Sequence, residues 1–501
     1  MLTRHLEVRP GCYRDSVRLM QLSREVAGEP GVAQALVAMA TELNLDLLAG
    51  LGFPRPPEAG PDDLVVAVAV ADPAALDRAL SRVAAGLATA PTAPGGGAGA
   101  TEAAPRTVRT AARRLGANLV LLSTPGRYAF LDAMDALRAG CSVLVFSDNV
   151  PLAQEVRLKE EAARRGLLVM GPDCGTALVG GVGLGFANVV RPGPVGLVAA
   201  SGTGAQQVMC LLDAAGVGVS HCLGVGGRDL SGPVGGRSTL AALDLLAADP
   251  TTEVVVVVAK PPAPEVGAAV SARAADLGRP VVLALLGPGG PDLTAAAEAA
   301  VRAAGGQPPP WPSWAPNPAP PPAPGALRGL YAGGTLAEEA LLLAGPRLGP
   351  IRSNVPLDPG LALGADLLAA GHVVVDFGDD QLTQGRPHPI IDWSLRLDRL
   401  AVEAQDPTCA VVLLDVLLGH AAHPDPAAEL APAVRAARAT ARSPLGGSRE
   451  LAVVVALVGS PGDPQDRDRQ AGELSAAGAH VFASHAAAVH RAVALATGAA
   501  R

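Results

Sequence analysis

Aromatic side chains are nearly missing from this chain. They make up 2% of its 501 residues, although hydrophobic residues as a whole make up 49%. Cores of that composition must be built from Ala, Val and Leu, as in parallel α/β sheets covered on both faces. Cysteine is sparse as well. Cys12, Cys141, Cys174, Cys210, Cys222 and Cys409 are scattered over the whole length, and no CxxC pair exists. That spacing argues against a disulfide framework and a structural zinc site, and it fits a reducing compartment. There is no strong basic block and the formal net charge is -8, which argues against nucleic acid as the main partner. Long apolar runs are also lacking. Val254 to Ala259 is typical of the longest, far short of the ~20 residues a membrane helix needs. The opening MLTRHLEVRPGCYRD has no apolar core for a signal peptide. The expectation is a soluble, cytoplasmic protein with no membrane partner.

What is present is a regular α/β rhythm. The expected fold class is α/β with several parallel-sheet domains. Residues 1–88 read as a small α/β domain, with DDLVVAVAVAD as a clear strand and GVAQALVAMAT as a strand that could also be helical. Ala88 to Pro105 is a Gly/Pro/Ala/Thr linker. Residues 106–192 run strand, helix, strand, helix, strand, which means right-handed crossovers and a parallel sheet. VRPGPVG marks a boundary, and residues 193–306 form a third α/β unit with strands at 195–200, 217–224, 253–259 and 280–286. The Pro-rich stretch Gly305 to Gly325 is a stiff linker to a last unit, 326–501.

The last unit echoes the third. GLVAASGTGAQQVMCLL is matched by GLYAGGTLAEEALLL, ADPTTEVVVVVAK by QDPTCAVVLLDV, and RPVVLALLGPGG by ELAVVVALVGSPG, in the same order. Such order implies an internal duplication with a period far too long for a solenoid.

The duplicated strand ends carry the candidate chemistry. In Ser201-Gly202-Thr203-Gly204 a buried strand stops and a helix starts. The first N–H groups of a helix lack intrahelical partners and its dipole is positive there, so glycines and hydroxyls make an anion cradle. Gly333, Gly334 and Thr335 form a second one. An ordinary capped helix is the plain alternative for either. The loop GVGGRDLSG offers Gly226, Gly227, Arg228 and Asp229; its positional counterpart, FGDDQLTQGRPHPIID, offers Asp379, Asp380, Arg386 and His388. Arg386 could clamp a phosphate or carboxylate, and His388 could act as acid or base near neutral pH. A solvated turn is the alternative. LLDVLLGHAAHPDPAAEL holds Asp415, His420, His423 and Asp425. With no third near ligand a metal is not expected, and His423 is a substrate or proton-transfer candidate. Cys174 in MGPDCGT has no visible activating base and reads as a buried, inert thiol.

These segments together resemble the FdrA family, within the succinyl-CoA synthetase-like superfamily. The run from Asn118 to Lys260 is similar to the synthetase α subunit, through STPGRYAFLDAMDALRAG, MGPDCGT, GPVGLVAASGTGAQQV and GVGGRDLSG. YAGGTLAEEA, SNVPLDP, DFGDDQLTQGRPHPIID, LLDVLLGHAAHPDPAAEL and GSPGDPQD are similar to FdrA proteins, as are the N-terminal CYRDSVRLMQLS and ALVAMATELN. The resemblance implies a partial Rossmann-like CoA-binding-type domain, then two duplicated flavodoxin-like domains. It implies small anionic substrates (carbamoyl phosphate, oxamate or acyl-CoA), other protein subunits as partners, and CoA or a nucleotide as the candidate cofactors. Some FdrA relatives are implied to be subunits of oxamate carbamoyltransferase, which moves a carbamoyl group between oxamate and phosphate. Two departures stand out. Nucleotide-forming ligases of the superfamily carry a phosphohistidine after the strand matching VVLALLGPGG, yet no histidine lies between His221 and His372, and Lys260-Pro261-Pro262 stands where an acidic partner is expected. The Gly-rich loop that opens the CoA-binding half is not recognisable before residue 117. The leading expectation is therefore carbamoyl or acyl transfer without the phosphohistidine. An NDP-forming acyl-CoA ligase with another phosphoryl carrier, and a non-catalytic scaffold subunit, are the alternatives.

Overall fold

The structure, a computed structural model, describes residues 2–14, 16–88, 105–316, 324–383, 387–444 and 447–499. Nearly all of the linker expected at 88–105, the middle of the Pro-rich one, and Arg386 lie outside the described residues. The chain divides into two compact units, one built on residues 1–104 and one on residues 105–382 and 388–501.

The first unit contains β1 (Thr3–Arg9), α1 (Ser16–Ala27), β2 (Val32–Met39), α2 (Glu42–Gly50), β3 (Leu64–Val70) and α3 (Ala74–Ala88). Its sheet is antiparallel in the order β1-β3-β2. All of β3 is buried, and the period of two explains how. Leu64, Val66, Val68 and Val70 pack under α1 and α3, whereas Val65, Ala67 and Ala69 pack on Leu45 and Leu48 of α2 and on Phe53. The segment that could have been helix or strand, at 31–41, is the edge strand β2.

The second unit opens with α4 (Val108–Leu115), β4 (Leu119–Leu122), α5 (Gly126–Arg138), β5 (Ser142–Val145), α6 (Leu152–Arg165) and β6 (Val169–Met170), a parallel sheet β4-β5-β6. Next come β7 (Thr176–Val179), β8 (Val182–Gly185), β9 (Pro192–Ala199), α7 (Gly202–Ala214), β10 (Val219–Gly224), α8 (Arg237–Ala248), β11 (Val254–Ala259), α9 (Pro264–Ala275), β12 (Val281–Leu285) and α10 (Leu293–Ala303). Their sheet has the order β12-β11-β9-β10-β7-β8. The boundary expected at 192/193 therefore shifts. The hairpin β7–β8 joins the later sheet because β7 pairs antiparallel with β10 at Leu178 and Cys222.

The last lobe contains β13 (Ser313–Trp314), β14 (Ala326–Tyr331), α11 (Gly334–Leu348), β15 (Ile351–Ser353), β16 (His372–Asp376), α12 (Asp380–Thr383), α13 (Ser394–Gln405), β17 (Cys409–Leu417), α14 (Pro426–Arg442), β18 (Ala452–Val458), α15 (Arg467–Ala476), β19 (Ala479–Phe482) and α16 (His485–Ala496). Its sheet runs β13-β19-β18-β17-β14-β16-β15. The segment β18-β17-β14-β16 repeats β12-β11-β9-β10, so the matched sequence segments occupy matched strands. Both are the 2-1-3-4 order of flavodoxin-like folds, in which ligands bind beyond the carboxyl ends of the strands where the order reverses. In the two lobes that point lies beyond β9/β11 and β14/β17. The fold is thus α/β with several parallel sheets.

The two lobes pack through α7 and α10 of one against α11 and α16 of the other. Buried polar bonds set this contact. Tyr331 Oη lies 3.0 Å from His485 Nε2, whose Nδ1 bonds Glu339, and Glu339 Oε1 accepts the Leu293 N–H at 2.5 Å. Asn188 Nδ2 donates to Leu418 O (3.0 Å) and to Asp463 Oδ2 (2.7 Å), tying the β8–β9 connection to the last lobe. Bonds of this kind are directional, so they fix one register between lobes where apolar packing alone would allow sliding.

Candidate functional site

The two cradles face one another and touch across the contact between the lobes. Ser201 caps α7 by accepting the Gly204 N–H at 3.0 Å, and its hydroxyl donates to Thr335 Oγ1 of the other lobe at 2.7 Å. Glycine permits this approach. A Cβ at Gly333 would lie 2.6–2.8 Å from three atoms of Thr203. The Gly202 and Thr203 N–H groups at the start of α7, and those of Gly334 and Thr335 at the start of α11, have no intrahelical partner. Two dipoles thus point their positive ends at the same place.

The start of α11 is held from below. Asp415, at 0% exposure on β17, accepts the Ala332 N–H at 2.8 Å and the Gly333 N–H at 2.9 Å. Its Oδ1 also receives Arg396 Nη1 at 2.8 Å, while Arg396 Nη2 donates to Pro389 O at 2.9 Å and its guanidinium stacks 3.6 Å from the Trp393 ring. Burial raises the Asp415 pKa, opposed by Arg396, and burial brings Arg396 down to about 10. An arginine at that value is still charged at neutral pH, and its bond to Asp415 helps hold the α11 turn.

Two ionisable groups that sequence reasoning left out of the site converge on Gly334. A Cβ there would lie 2.7 Å from Asp376 Oδ2 and 3.5 Å from Lys260 Nζ. Lys260 follows β11 and pairs with Glu338 of α11 at 3.5 Å. Asp376 ends β16, is 5% exposed, and accepts the Gly378 N–H on Oδ1 at 2.9 Å. Burial pushes its pKa up to about 7, against the Gly378 bond and Lys260, with Asp415 and Asp379 adding to the rise. Burial likewise raises Glu338. The missed signal was position. Lys260 and Asp376 stand at the carboxyl ends of parallel strands, where such folds bind ligands.

His388 lies beside the Asp376 loop, with its ring against Phe186. Its Nδ1 accepts the Ile390 N–H at 3.2 Å, which leaves the proton on Nε2, and Nε2 lies 3.0 Å from the place a Cβ would take on Gly378. Burial depresses its pKa to about 4, with Arg396 adding to the fall. At neutral pH it is a neutral donor through Nε2. Asp379 caps the short turn after β16 through the Gln381 N–H at 3.0 Å.

Arg228 stands on the rim, half exposed, donating to Val150 O at 2.7 Å and pairing with Glu155 at 3.0 Å. Near it Asp173 is solvent-exposed as a residue; the protein packed round its carboxyl, then Asp380 and Asp148, raise its pKa, while Arg228 and Lys260 oppose. Burial and Asp148 also raise Asp380. Gly226 serves packing: at φ +87 a Cβ would lie 2.4 Å from Pro172 O. Gly227 is open, with Asp173 Oδ2 as the nearest atom. Beneath the loop, Lys159 Nζ bonds Asp229 (2.7 Å), Glu155 (2.8 Å) and Val225 O (3.0 Å). Asp229 also takes the Ser238 and Thr239 N–H groups at the start of α8.

His423 is placed elsewhere. Its Nδ1 accepts the Asp425 N–H at 3.0 Å and its Nε2 lies 3.3 Å from Glu429, so both ring nitrogens serve the turn into α14. Its own N–H donates to Ile390 O at 3.0 Å, which supports the His388 loop from behind. Cys174 is 2% exposed, and burial lifts its thiol to about 12. Among the described residues no three His, Cys, Asp or Glu side chains are grouped to hold a metal ion, and no helix is long and apolar enough to cross a membrane.

Both lobes share the flavodoxin-like strand order, and their first helices meet at their N-termini. The family model described as CoA-ligase matches residues 330–495, and the one described as AllF, heavy metal-associated domain, matches residues 1–105; that segment contains one cysteine, Cys12. The chain belongs to the same family as uncharacterized protein YahF of Escherichia coli K12, which is 35% identical over 505 residues covering 94% of each chain. It is also similar to the succinate–CoA ligase [ADP-forming] α subunit of Methanothermobacter thermautotrophicus, 29% identical over 161 residues that cover 32% of this chain and 52% of the subunit. The chain thus spans about half the length of that ligase subunit. A solved dinucleotide-forming acetyl-coenzyme A synthetase from Ca. Korarchaeum cryptofilum, in complex with phosphate and ADP, is 15% identical and covers 76% of this chain and 84% of its own, at a TM-score of 0.28, too loose a superposition to carry an argument.

Proposed function

We propose that this chain is an acyl-CoA-synthetase-like group-transfer protein whose transfer step takes place in the cleft between α7 and α11. The observation that carries the reading is the junction itself: two helix N-termini bridged by Ser201 and Thr335, with Lys260 beside them. Unpaired N–H groups, hydroxyls and an ammonium suit a phosphate or an acyl phosphate. The same donors stabilise charge as it develops on the oxygens of a carbonyl under attack. Neutral His388 offers one more donor through Nε2. Arg228, Asp379 and Asp380 belong to the rim loops that such a substrate passes, and Arg386 is proposed as its carboxylate or phosphate clamp.

CoA would supply a thiol as acyl acceptor, and a pyrophosphate of this kind rests on the glycine turn of a first βα unit. Among the described residues, β4 is an edge strand with no strand and glycine turn ahead of it. The chain therefore offers a poor grip for CoA at that place, and each role above rests on the cleft alone. Partner subunits fit this picture, since the similar ligases are named as subunits.

A second reading is carbamoyl transfer between oxamate and phosphate, as in FdrA-type proteins. The absence of any histidine between His221 and His372 favours it. A phosphate oxygen attacking a carbonyl carbon directly needs no phosphohistidine, and orientation of the two reactants can supply much of the rate. Calorimetric titration of the full chain with phosphate, carbamoyl phosphate, oxamate, CoA and ATP tests both. Phosphate binding that is lost in Lys260→Ala and in Ser201→Ala/Thr335→Val supports the cleft. Carbamoyl phosphate or oxamate binding without CoA or ATP selects carbamoyl transfer, and CoA or ATP binding selects the ligase. Phosphate binding unchanged in those variants refutes the cleft.

A further inference from the structure

The last lobe carries a cavity of about 360 Å³, and none of the cradle residues lines it. Its size is near the lower end of the ~300–1,000 Å³ usual for small-molecule sites. One wall is α13. Arg399, Val402, Glu403 and Asp406, the last being the C-cap, stand at i, i+3, i+4 and i+7, so they share one face of the helix. Arg328 of β14 and the loop ahead of β16, with Leu368, close the other sides.

The polar groups of this cavity are matched except at one place. Arg328 spends Nε on Glu403 Oε2 (2.8 Å), Nη2 on Asp406 Oδ2 (2.7 Å) and Nη1 on Gly371 O. Arg399 Nε donates to Glu403 Oε1 at 2.5 Å, and Asp406 Oδ1 accepts the Thr408 N–H and hydroxyl. Every carboxylate oxygen lining the cavity is therefore engaged. The Nη1 and Nη2 groups of Arg399 have no partner among the described residues, although the residue is only 9% exposed. Four N–H donors in a planar fork are left over. A guanidinium held so far out of bulk water gains most from an acceptor-only group of matching shape, which is a carboxylate.

We propose that this cavity is a binding site for a small aliphatic monocarboxylate, with its two oxygens on Arg399 Nη1 and Nη2 and its hydrocarbon end against Leu368 and Val402. Those two side chains are 55% and 50% exposed. A single exposed apolar residue is ordinary, but here a pair of them flanks one buried, half-used arginine. Arg328 and Arg399 already balance Glu403 and Asp406, so each further negative charge is uncompensated, and a monoanion suits the site better than a dianion. An ammonium finds no free carboxylate oxygen there. The site stands apart from the junction of the cradles and does not rest on the role given to that junction.

The test is titration of the full chain with isovalerate, followed by ligand-detected NMR, beside its neutral isostere isovaleramide and inorganic phosphate. The acid should bind, and the amide should bind about tenfold or more weakly, the scale of one charged hydrogen bond. Val402→Glu sets a carboxylate one turn from Arg399, where it can take the free Nη groups; isovalerate binding should fall about tenfold or more. Arg399→Met should do the same, and Glu403 keeps Arg328 as its partner in that variant. Lys260→Ala, which alters the cradle junction, should leave isovalerate binding unchanged; its loss there would place the acid at the cradles and overturn the cavity site. No isovalerate binding, equal affinity for the amide or for phosphate, or binding unchanged in Val402→Glu would each overturn it as well. Val402 is half exposed, so its variant decides the matter even if Arg399→Met does not fold.

Discussion

Replacement of Asp415 by Ala probes how the cleft is held. The carboxylate is fully buried and does three things at once: it accepts the Ala332 and Gly333 N–H groups and neutralises Arg396, itself 1% exposed. Removing it leaves a buried guanidinium without its counter-ion and two backbone donors without acceptors. Breaking one side of such a pair costs about 3–5 kcal/mol. Each orphaned donor adds up to about 1–3 kcal/mol where water cannot reach it, and the terms overlap, so about 4 kcal/mol is the working figure. The assay is urea unfolding followed by circular dichroism, read beside phosphate titration. We expect a loss of about 4 kcal/mol from the transition of the 105–501 unit, and phosphate affinity lost with it because the α11 turn is no longer aimed. Asp415→Ala/Arg396→Met should be less destabilised than Asp415→Ala, since no bare charge remains. A single variant within about 1 kcal/mol of the unmodified chain, with phosphate binding intact, would refute the view that this pair positions the cleft.

Three further outcomes follow from the same geometry. Gly333→Ala sets a methyl 2.6–2.8 Å from Thr203, so it should cost about 1–3 kcal/mol and abolish phosphate binding; Thr203→Gly in the same chain should restore binding, and no restoration counts against the close approach. Lys159→Met removes the cation from the buried carboxylate of Asp229 and leaves Glu155 with Arg228 alone, and should cost about 3 kcal/mol in urea unfolding; a neutral result would show the cluster to be dispensable. Asp376→Asn should stabilise the chain at high pH only. The folded pKa is raised from 3.8 to about 7, so its contribution to stability is present in full below about 4 and is lost as pH rises through about 7. The asparagine variant should gain up to about 4 kcal/mol at pH 8 relative to its difference at pH 4; a gain that is the same at both pH values would place the carboxyl in water.

The sheets were legible because apolar strands announce themselves. Val254–Ala259 is a six-residue buried run, and its partner Cys409–Leu417 is buried throughout, so both read as parallel strands from composition alone. The hairpin Thr176–Gly185 was not legible, because its partner Cys222 is 44 residues away from Leu178 and nothing local names it. The cradles were legible for a local reason as well, since Gly and Ser/Thr between a strand and a helix have a short-range meaning. That they meet was not legible. The bond from Ser201 to Thr335 joins positions 134 residues apart. His423 shows the opposite failure: a histidine in a polar loop after a strand looks like chemistry, and its ring is spent on Asp425 and Glu429. Lys260 was seen only as a departure from a resemblance, because its role depends on Glu338 of a different lobe.

Duplication explains why there are two opposed helix N-termini, and divergence explains why the two lobes bring different charges to them. The matched strand orders place β9 with β14, β11 with β17 and β10 with β16. A freshly duplicated pair would bring the same residues to the cleft from both sides. In the present chain the copies differ where it matters. Lys260 follows β11, whereas the apolar Leu418 follows β17; Asp376 ends β16, whereas Gly224 ends β10. One lobe contributes the fixed cation and the other the titratable carboxylate, each near the shared Gly334. A cation alone would hold any anion, and a carboxylate alone would hold none. Beside Gly334 the two groups come one from each lobe, so their juxtaposition needs both copies of the fold in one chain.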